Sequence, residues 1–304
     1  MTIVCPSCSS QSLRRIGEIS PTNIFAGRVL SEPLPGGSLF CCESCLLYFR
    51  SPQLEKQERD ALYQQGAPQN WQHEPQNRRD WLIAAEWIKE NCERGKILDL
   101  GCFDGQFLCS LENEHELFGI EIHQNAAQRA EQKGVRILSG DFSNLGKLDY
   151  LFDVIVAADV LEHVSDPMLL LMNLSKLTRP GGVVIIATGN TQALAWRMMG
   201  SRYWYCTIAE HISFISPEWC DRAAKRAGFA VEKLELFSHS SAGWPKRIVD
   251  LVKNTCYRFA PGISAWLRRR GVGGKDVARY PVLANHPPNW MSATDHMIAL
   301  LRKH

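Results

Sequence analysis

Four cysteines near the start of the chain form two pairs, and in each pair two residues separate the thiols. The pairs are Cys5 with Cys8 and Cys42 with Cys45, and 33 residues lie between them. This spacing lets each pair present both sulfurs to one side of a tetrahedral ion. Cys41 fits less well than Cys42, because three residues would separate it from Cys45. The pattern predicts a structural zinc site with four thiolate ligands and no open coordination position.

The segment between the two cysteine pairs is rich in proline and glycine, which favours loops and short strands. So short a module buries little apolar surface, and a bound metal would supply the missing stability. We therefore predict a zinc-ribbon module over residues 1–52. A polar, glutamine-rich linker follows over residues 53–76, with one helical stretch near 53–64.

Downstream of the linker, short apolar runs alternate with helical patterns, beginning with a helix over residues 77–92. The predicted strands are 96–100, 117–122, 135–138, 152–157, 183–188, 230–237 and a last strand around 296–301. This alternation predicts an α/β fold with a largely parallel sheet and helices on both faces. Sheets of this kind bind ligands at the carboxyl ends of their strands.

The loop after the first of these strands holds two glycines among acidic residues. It runs Asp99-Leu-Gly101-Cys-Phe103-Asp104-Gly105. A dinucleotide-binding loop would need glycine where Phe103 stands, so that a pyrophosphate could approach the backbone. Asp104 would also repel a diphosphate at the start of the next helix. The loop favours a cationic ligand without phosphate over NAD or FAD.

The following strands end in acidic or small residues, in order along the chain. Glu121 ends the second strand, Asp141 and Phe142 follow the third, and Ala158 ends the fourth just before Asp-Val-Leu-Glu-His163. With these motifs, residues 81 to 237 and the last strand resemble the class I S-adenosylmethionine-dependent methyltransferases. The resemblance implies a seven-stranded, doubly wound Rossmann-like sheet of order 3-2-1-4-5-7-6 with the last strand antiparallel.

The same resemblance implies which residues hold S-adenosylmethionine. The glycine-rich loop would line the methionine end, and Glu121 would accept two hydrogen bonds from the ribose hydroxyls. Asp141 would face the adenine amino group, Phe142 would cover the ring, and Ala158 would pass close to the sulfonium. The implied cofactor-binding residues are Asp99, Gly101, Gly105, Glu121, Asp141, Phe142 and Ala158.

Methyl transfer to a hydroxyl needs in-line positioning and a base that accepts the hydroxyl proton. His211 begins the sequence His-Ile-Ser-Phe-Ile-Ser-Pro217, which resembles a stretch in methyltransferases that act on small molecules and sugars. His163 follows the fourth strand. We predict His211 and His163 as candidate catalytic bases, with Glu210, Tyr203 and Tyr205 as further options, and either histidine could instead only shape its loop. Ser216 and Pro217 predict a helix start.

The net charge of +2 hides a strongly basic segment. Between positions 241 and 280, nine basic residues stand against two acidic ones, a local charge of +7. This predicts an anionic partner, such as a phosphate-bearing acceptor, a membrane surface or nucleic acid, although a solvated helical face would look the same. Apolar spacing within it predicts amphipathic helices. We assign residues 77–304 to a methyltransferase domain with a basic helical insertion at about 241–292.

No apolar run approaches the roughly 20 residues that a membrane span requires, and the first residues do not resemble a signal peptide. The eleven cysteines, an odd number, favour reduced or metal-bound thiols over a disulfide framework. We expect a cytoplasmic protein, with peripheral membrane contact through the basic segment at 241–280 as one possibility. The sequence does not indicate an oligomeric state.

These features predict a methyltransferase that O-methylates a saccharide or another small molecule, including phosphate-linked acceptors, in cell-envelope or secondary metabolism. The zinc-ribbon layout also resembles sugar C-methyltransferases, but those have a third domain that has no counterpart here. One alternative is an RNA methyltransferase, which the few basic residues of the zinc module disfavour. Another is a catalytically silent, cofactor-binding adaptor, whose acceptor pocket Trp196, Tyr203 and Trp204 would block.

Overall fold

The computed structural model describes residues 2–66, 78–112, 114–239, 243–272, 277, 281–290 and 293–304. Most of the second half of the predicted linker, and several short stretches of the predicted basic insertion, lie outside these residues. Among the described residues, no helix is both long enough and apolar enough to cross a bilayer.

The amino-terminal part is built of antiparallel strands. They are β1 (Leu13–Ile19), β2 (Thr22–Phe25), β3 (Arg28–Leu34), β4 (Gly37–Cys42) and β5 (Tyr48–Ser51). Strands β2 and β3 form a hairpin of their own, and β1, β4 and β5 form a sheet. A short strand from much later in the chain, β11 (Ser213–Phe214), extends that sheet by pairing with β5. The amino-terminal sheet is therefore continuous with the segment that follows His211.

Two helices connect this sheet to the rest of the chain. The first, α1 (Lys56–Gln64), begins three residues later than predicted. The second, α2 (Arg79–Asn91), buries Ala84, Trp87 and Ile88 along one face, as its helical spacing predicted. Position 77, where we expected this helix to start, lies outside the described residues.

A seven-stranded sheet forms the centre of the molecule. Its strands are β6 (Lys96–Leu100), β7 (Glu116–Ile120), β8 (Arg136–Ser139), β9 (Phe152–Ala158), β10 (Thr178–Gly189), β12 (Phe229–Phe237) and β13 (His296–Lys303). Their order, β12-β13-β10-β9-β6-β7-β8, confirms the predicted topology. Strand β13 runs antiparallel to both of its neighbours, as predicted. Side chains in the middle of β9 and β10 are almost fully buried, because helices cover both faces.

Strand β10 starts five residues earlier than the apolar run suggested. Thr178 already pairs with Phe152, and an irregularity in the register lies between Thr178 and Val183. The sequence there contains Gly181, which has a φ of 75°. A bulge of this kind does not show in the pattern of apolar residues, so the composition of this segment predicted a turn and not a strand.

The remaining helices cover the sheet or extend beyond it. They are α3 (Gln106–Cys109), α4 (Gln124–Gln132), α5 (Pro167–Leu177), α6 (Leu194–Met199), α7 (Trp204–Thr207), α8 (Pro217–Arg226), α9 (Trp244–Phe259) and α10 (Pro261–Arg269). Ser216 caps α8 by accepting a hydrogen bond from the Trp219 amide at 3.0 Å, which confirms the predicted helix start. Helices α9 and α10 lie within the predicted insertion.

Candidate active site

The glycine-rich loop leaves β6 at the carboxyl edge of the sheet. Gly101 and Gly105 have φ values of 72° and 75°, a region that favours glycine. A Cβ at Gly105 would also lie 2.9 Å from the Val135 side chain. Asp99 is buried at the end of β6. Burial is the larger cause, and the negative charge of Glu121 the smaller one, that together hold the pKa of Asp99 well above its usual value. An approaching cation would favour the ionised carboxylate, so the site suits a positively charged ligand.

Glu121 lies at the end of β7 and is also buried. Its two carboxylate oxygens accept hydrogen bonds from the backbone amides of Phe103, at 2.9 Å, and His123, at 2.8 Å. Burial raises the pKa of Glu121, although these two hydrogen bonds act in the opposite direction. A carboxylate oxygen can accept more than one hydrogen bond, so Glu121 is both fixed in place and able to accept from a vicinal diol.

Asp141 and Phe142 lie just beyond β8, as predicted, but protein groups already engage the Asp141 carboxylate. It accepts hydrogen bonds from the amide and hydroxyl of Ser143, and it forms an ion pair with Lys56 at 3.0 Å. Burial acts to raise the pKa of Asp141, but the bonds from Ser143 and Lys56 outweigh it and lower the pKa. Phe142 is half-buried against the core.

Helix α1, in the predicted linker, crosses this edge of the sheet. It contacts the segments after three strands: Lys56 reaches Asp141, the Gln64 amide donates to the Ile122 carbonyl at 2.5 Å, and the Tyr63 hydroxyl lies 2.9 Å from Nδ1 of His163. Helix α1, which belongs to the predicted linker, therefore contributes side chains to the edge of the central sheet where we expect the ligand to bind.

A cation that sequence reasoning missed lies beyond Ala158, the half-buried last residue of β9. The Arg78 guanidinium pairs with Asp159 at 2.7 Å and also with Asp80. Its positive charge also acts to lower the pKa of Asp99, against the larger effects of burial and of Glu121. A guanidinium here suits the carboxylate of an amino acid ligand. No local motif marks Arg78, because the residues that it contacts come from different elements.

Glu162 lies just beyond β9 and is fully buried. It accepts hydrogen bonds from the Tyr205 hydroxyl and from the Thr188 hydroxyl, the latter at 3.0 Å. Burial, and then the neighbouring charge of Asp159, raise the pKa of Glu162 to about 7. Sequence reasoning considered Tyr205 only as a base, whereas the structure makes its hydroxyl a donor to this carboxylate.

The two predicted histidines meet beside Glu162. Their rings contact edge to face, with centroids 4.8 Å apart. Nδ1 of His211 lies 3.1 Å from the Tyr205 carbonyl, and a carbonyl can only accept, so Nδ1 carries the proton and Nε2 the lone pair. Burial lowers the pKa of both His163 and His211. Both imidazoles are therefore neutral near pH 7, and the His211 ring has a lone pair that can accept a proton or bind a metal.

In the part of the chain that the structure describes, two groups of side chains have the composition of metal sites, with ligand atoms within 4.8 Å of one another. Glu162, His163 and His211 form the first, a donor set that zinc and other first-row divalent ions accept. The second is the predicted set, Cys5, Cys8, Cys42 and Cys45. In it the Sγ atoms of Cys5 and Cys45, and those of Cys8 and Cys42, lie 3.5 Å apart. Four sulfurs at zinc–sulfur distances of about 2.3 Å would be roughly 3.8 Å apart, so the thiols fit zinc.

The amino-terminal sheet holds the loop that carries His211. The buried Arg50 guanidinium donates hydrogen bonds to the carbonyls of Cys206, Ile208 and Ala209. The amide of Ala26 donates to the Glu210 carboxylate, and β5 pairs with β11 just beyond His211. The position of His211 therefore depends on residues more than 150 positions earlier, a dependence that sequence patterns do not show.

Known proteins resemble this chain in sequence and in fold. A family model described as "Methyltransferase domain" matches residues 60–234. The ubiquinone biosynthesis O-methyltransferase of Aeromonas salmonicida is 29% identical over 169 residues, covering 50% of this chain and 71% of that protein. The protein of the same name from Pectobacterium atrosepticum is 32% identical over 118 residues, covering 36% of this chain and 49% of its own length.

Among solved structures, the YcgJ protein from Bacillus subtilis superposes with a TM-score of 0.50 at 11% identity, covering 74% of this chain and 98% of that one. This likeness shows the shared fold. The family model spans more than half of the chain and includes the glycine-rich loop, Glu121 and the His163 segment. The chain therefore belongs to the methyltransferase-domain family and is an S-adenosylmethionine-dependent methyltransferase.

Proposed function

We propose that this methyltransferase O-methylates a hydroxyl group of a saccharide or another small molecule, in cell-envelope or secondary metabolism. The main support is the pair of neutral imidazoles just beyond the carboxyl end of β9, in which half-buried His163 contacts buried His211. A hydroxyl acceptor needs a proton acceptor at this place, and a neutral imidazole is one. The names of the relatives, which are O-methyltransferases of ubiquinone biosynthesis, support the same reaction type.

When bound, S-adenosylmethionine supplies a methyl group activated by the positive sulfur. The protein's part is to bind and orient both partners. Asp99, Gly101, Gly105 and Glu121 hold the methionine and ribose parts, with Arg78 for the carboxylate and Asp141 and Phe142 at the adenine end. Ala158 leaves room beside the methyl group.

His211 would accept the proton of the acceptor hydroxyl at Nε2, and the bound cofactor would supply the methyl group. The Tyr205 carbonyl orients His211 by accepting a hydrogen bond from Nδ1, and the Tyr63 hydroxyl holds the His163 ring through a hydrogen bond with its Nδ1. Tyr203 suits the base role less well, because its hydroxyl bonds to Asp295 and burial raises its pKa far above neutrality.

The four-cysteine cluster binds structural zinc in this proposal. Four thiolates leave no coordination position for an acceptor, so the ion would stabilise the amino-terminal sheet and not take part in transfer. Through Arg50 and β11, that sheet in turn positions the His211 loop.

A deletion strain tests the function. Untargeted metabolite and glycan mass spectrometry should find a species lighter by one methyl group, which returns to its wild-type mass when the wild-type gene is restored but not with the His211→Gln variant. Purified protein should then release S-adenosylhomocysteine with extract from the deletion strain. Activity that is lost when the extract is treated with ribonuclease would favour an RNA acceptor. Cofactor binding without turnover on any extract would favour a silent adaptor.

A further inference from the structure

Helix α9 has the opposite amphipathicity to that of an ordinary surface helix. Its buried positions are Asp250, Asn254 and Tyr257, spaced at i, i+4 and i+7 along one face. The opposite stripe is apolar and exposed, and it consists of Trp244, Ile248, Leu251, Val252 and Phe259. Surface helices normally turn their apolar stripe toward the core and their polar residues toward water. Here the polar residues face the protein and the apolar ones face outward.

Helix α10 continues the exposed apolar surface. Ser264 and Ala265 are buried, while Ile263 and Trp266 are 60% and 54% exposed. Among the described residues, nine of the eighteen exposed large apolar side chains lie between positions 244 and 272. Single exposed apolar side chains are common, but a concentration of this size marks an interaction surface.

The charges around this surface are strongly positive. Helices α9 and α10 with the residues up to 272 contain seven lysines and arginines, and their one acidic residue, Asp250, is buried. Two arginines lie against exposed aromatic rings: Arg270 is 3.6 Å from the centroid of Trp266, and Arg258 is 5.7 Å from that of Phe259. Aromatic residues beside cationic side chains are typical of segments that lie at the headgroup level of a membrane.

Helix α9 also contacts the side of the site where we propose that the acceptor binds. Tyr257 of α9 belongs to the apolar cluster that contains Tyr203 and Tyr205, and Arg202 donates a hydrogen bond to the backbone carbonyl of Arg258 at 2.9 Å. Tyr205 in turn holds Glu162 and the His211 ring. A surface that bound α9 and α10 would thus lie next to the wall that receives the acceptor.

We propose that α9 and α10 form a membrane-docking surface that lies flat on an anionic lipid bilayer, with the apolar stripe among the acyl chains and the basic residues at the headgroups. Basic charge alone would suit any anion, whereas an outward apolar stripe with basic flanks suits a negatively charged bilayer. On the proposed function, the hydroxyl acceptor would then be carried by a lipid and reach His211 from the membrane surface.

Vesicle flotation with the full-length protein tests the docking surface without cofactor or acceptor. We expect binding to vesicles that contain phosphatidylglycerol, weak binding to phosphatidylcholine alone, and loss of binding as salt rises. Trp244→Ser combined with Ile248→Ser should weaken binding by about a hundredfold, since burial of each side chain contributes on the order of tenfold or more. Lys246→Glu with Arg270→Glu should remove the preference for anionic lipid.

Leu194→Ser is the matched control, because Leu194 is 77% exposed on α6, outside this surface. It should leave vesicle binding unchanged. Absent or equal binding of the wild type to both kinds of vesicle would overturn the proposal. So would a dimer in light scattering that Trp244→Ser dissociates while vesicles fail to bind, because the stripe would then be an interface between two copies. Methyl transfer plays no part in this assay, so its failure and that of the proposed function are distinguishable.

Discussion

Glu121 illustrates how a single residue can link the fold to the cofactor. Its carboxylate holds the glycine-rich loop through the Phe103 amide, and we propose that it also accepts hydrogen bonds from the ribose diol. We expect Glu121→Ala to raise the cofactor dissociation constant at least tenfold, because each charged hydrogen bond contributes about 1.5–3 kcal/mol. Calorimetry would measure this. Glu116→Ala, at the exposed start of the same strand, is the control and should bind normally; equal affinities for all three proteins would remove Glu121 from the ribose site.

A substitution at His211 should affect methyl transfer but not cofactor binding. We expect His211→Gln to lower the transfer rate by about 10²–10⁴-fold, the usual contribution of a placed base, while the cofactor dissociation constant stays the same. Single-turnover measurements with the identified acceptor would show the loss. His115→Gln is the control, since His115 lies before β7, at the opposite edge of the sheet.

His163 and His211 can act as bases or, together with Glu162, as metal ligands. Measuring methyl transfer in the presence of a chelator distinguishes these roles. Transfer that continues in the presence of EDTA supports His211 as the base. Transfer that stops with EDTA while the cysteine cluster keeps its zinc, and that returns with Mn²⁺, would assign Glu162, His163 and His211 to a cation instead. In that case the ion, and not the imidazole, would activate the hydroxyl.

Residues that follow directly from a strand end could be predicted, and residues held by distant partners could not. Asp99, Glu121 and Asp141 each terminate a recognisable apolar run, so periodicity placed them at one edge of the sheet. Arg78 and Glu162 gain their roles from contacts with other elements. The pairing of Arg78 with Asp159 joins the start of α2 to the end of β9, and no spacing along the chain encodes it.

At the scale of elements, Arg50 joins two parts of the molecule. Its buried guanidinium satisfies three backbone carbonyls in the loop that precedes His211. Arg50→Met should therefore leave these carbonyls without their donors, at a cost of several kcal/mol in the free energy of unfolding. Below the unfolding temperature, kcat should fall more than cofactor affinity, because the His211 loop loses its support.

The control for Arg50 is Arg15→Met, also in the amino-terminal sheet. Arg15 forms an exposed ion pair with Glu18, and such pairs contribute little to stability. Urea denaturation and initial rates would be measured for both variants. If Arg50→Met had the same free energy of unfolding and the same kcat as Arg15→Met, the amino-terminal sheet would not be what positions the His211 loop.

The cysteine cluster gives a second prediction at this scale. The wild type should contain one zinc ion per chain by plasma mass spectrometry, and Cys8→Ser should lose it and unfold the amino-terminal sheet. Cys109→Ser is the control, because Cys109 is exposed at the end of α3, outside the cluster. A folded wild type without metal would contradict the assignment.

Periodicity predicted the elements of the central sheet but not the role of α1. Buried strands of a largely parallel sheet are continuous apolar runs, and all seven strands of the sheet appeared in the expected order. Helix α1 has no buried residue, so its sequence is that of a solvated connector. It acts through polar side chains such as Lys56 and Gln64, whose partners lie in other loops.

At the scale of the whole molecule, the two proposed binding sites share one edge of the sheet. The groups that we propose bind the cofactor lie after β6, β7 and β8. The wall that we propose receives the acceptor lies after β9 and β10, and it contacts the amino-terminal sheet on one side and α9 on the other. Helix α9 was predicted as amphipathic, but the sequence cannot say which face is buried. That choice depends on Tyr257, which packs in the apolar cluster that also contains Tyr205, 52 positions earlier in the chain.

The stability of the whole fold should also depend on pH through its last strand. His296, at the start of β13, is buried beside Asp295, whose carboxylate lies 2.9 Å from Nδ1. Burial disfavours the charged imidazole, but the hydrogen bond and the charge of Asp295 outweigh it and raise the pKa of His296. Asp159 and Glu162 act in the same direction. His239, whose ring centroid is 4.4 Å away, has a pKa lowered by burial and then by the charge of His296.

A histidine whose pKa is raised on folding contributes stability that is fully present below its unfolded pKa, near 6.5, and that is lost as the pH rises through the folded pKa. His296→Gln keeps a neutral donor for Asp295 but cannot become charged. The wild type should therefore exceed this variant in the free energy of unfolding by about 1 kcal/mol at pH 6, the difference between a charged and a neutral hydrogen bond, and the two should converge by pH 9. Urea denaturation at both pH values measures the difference. His304→Gln, at the exposed end of the chain, should follow the wild type throughout; a constant gap between wild type and His296→Gln from pH 6 to pH 9 would mean that the pair contributes packing and not charge.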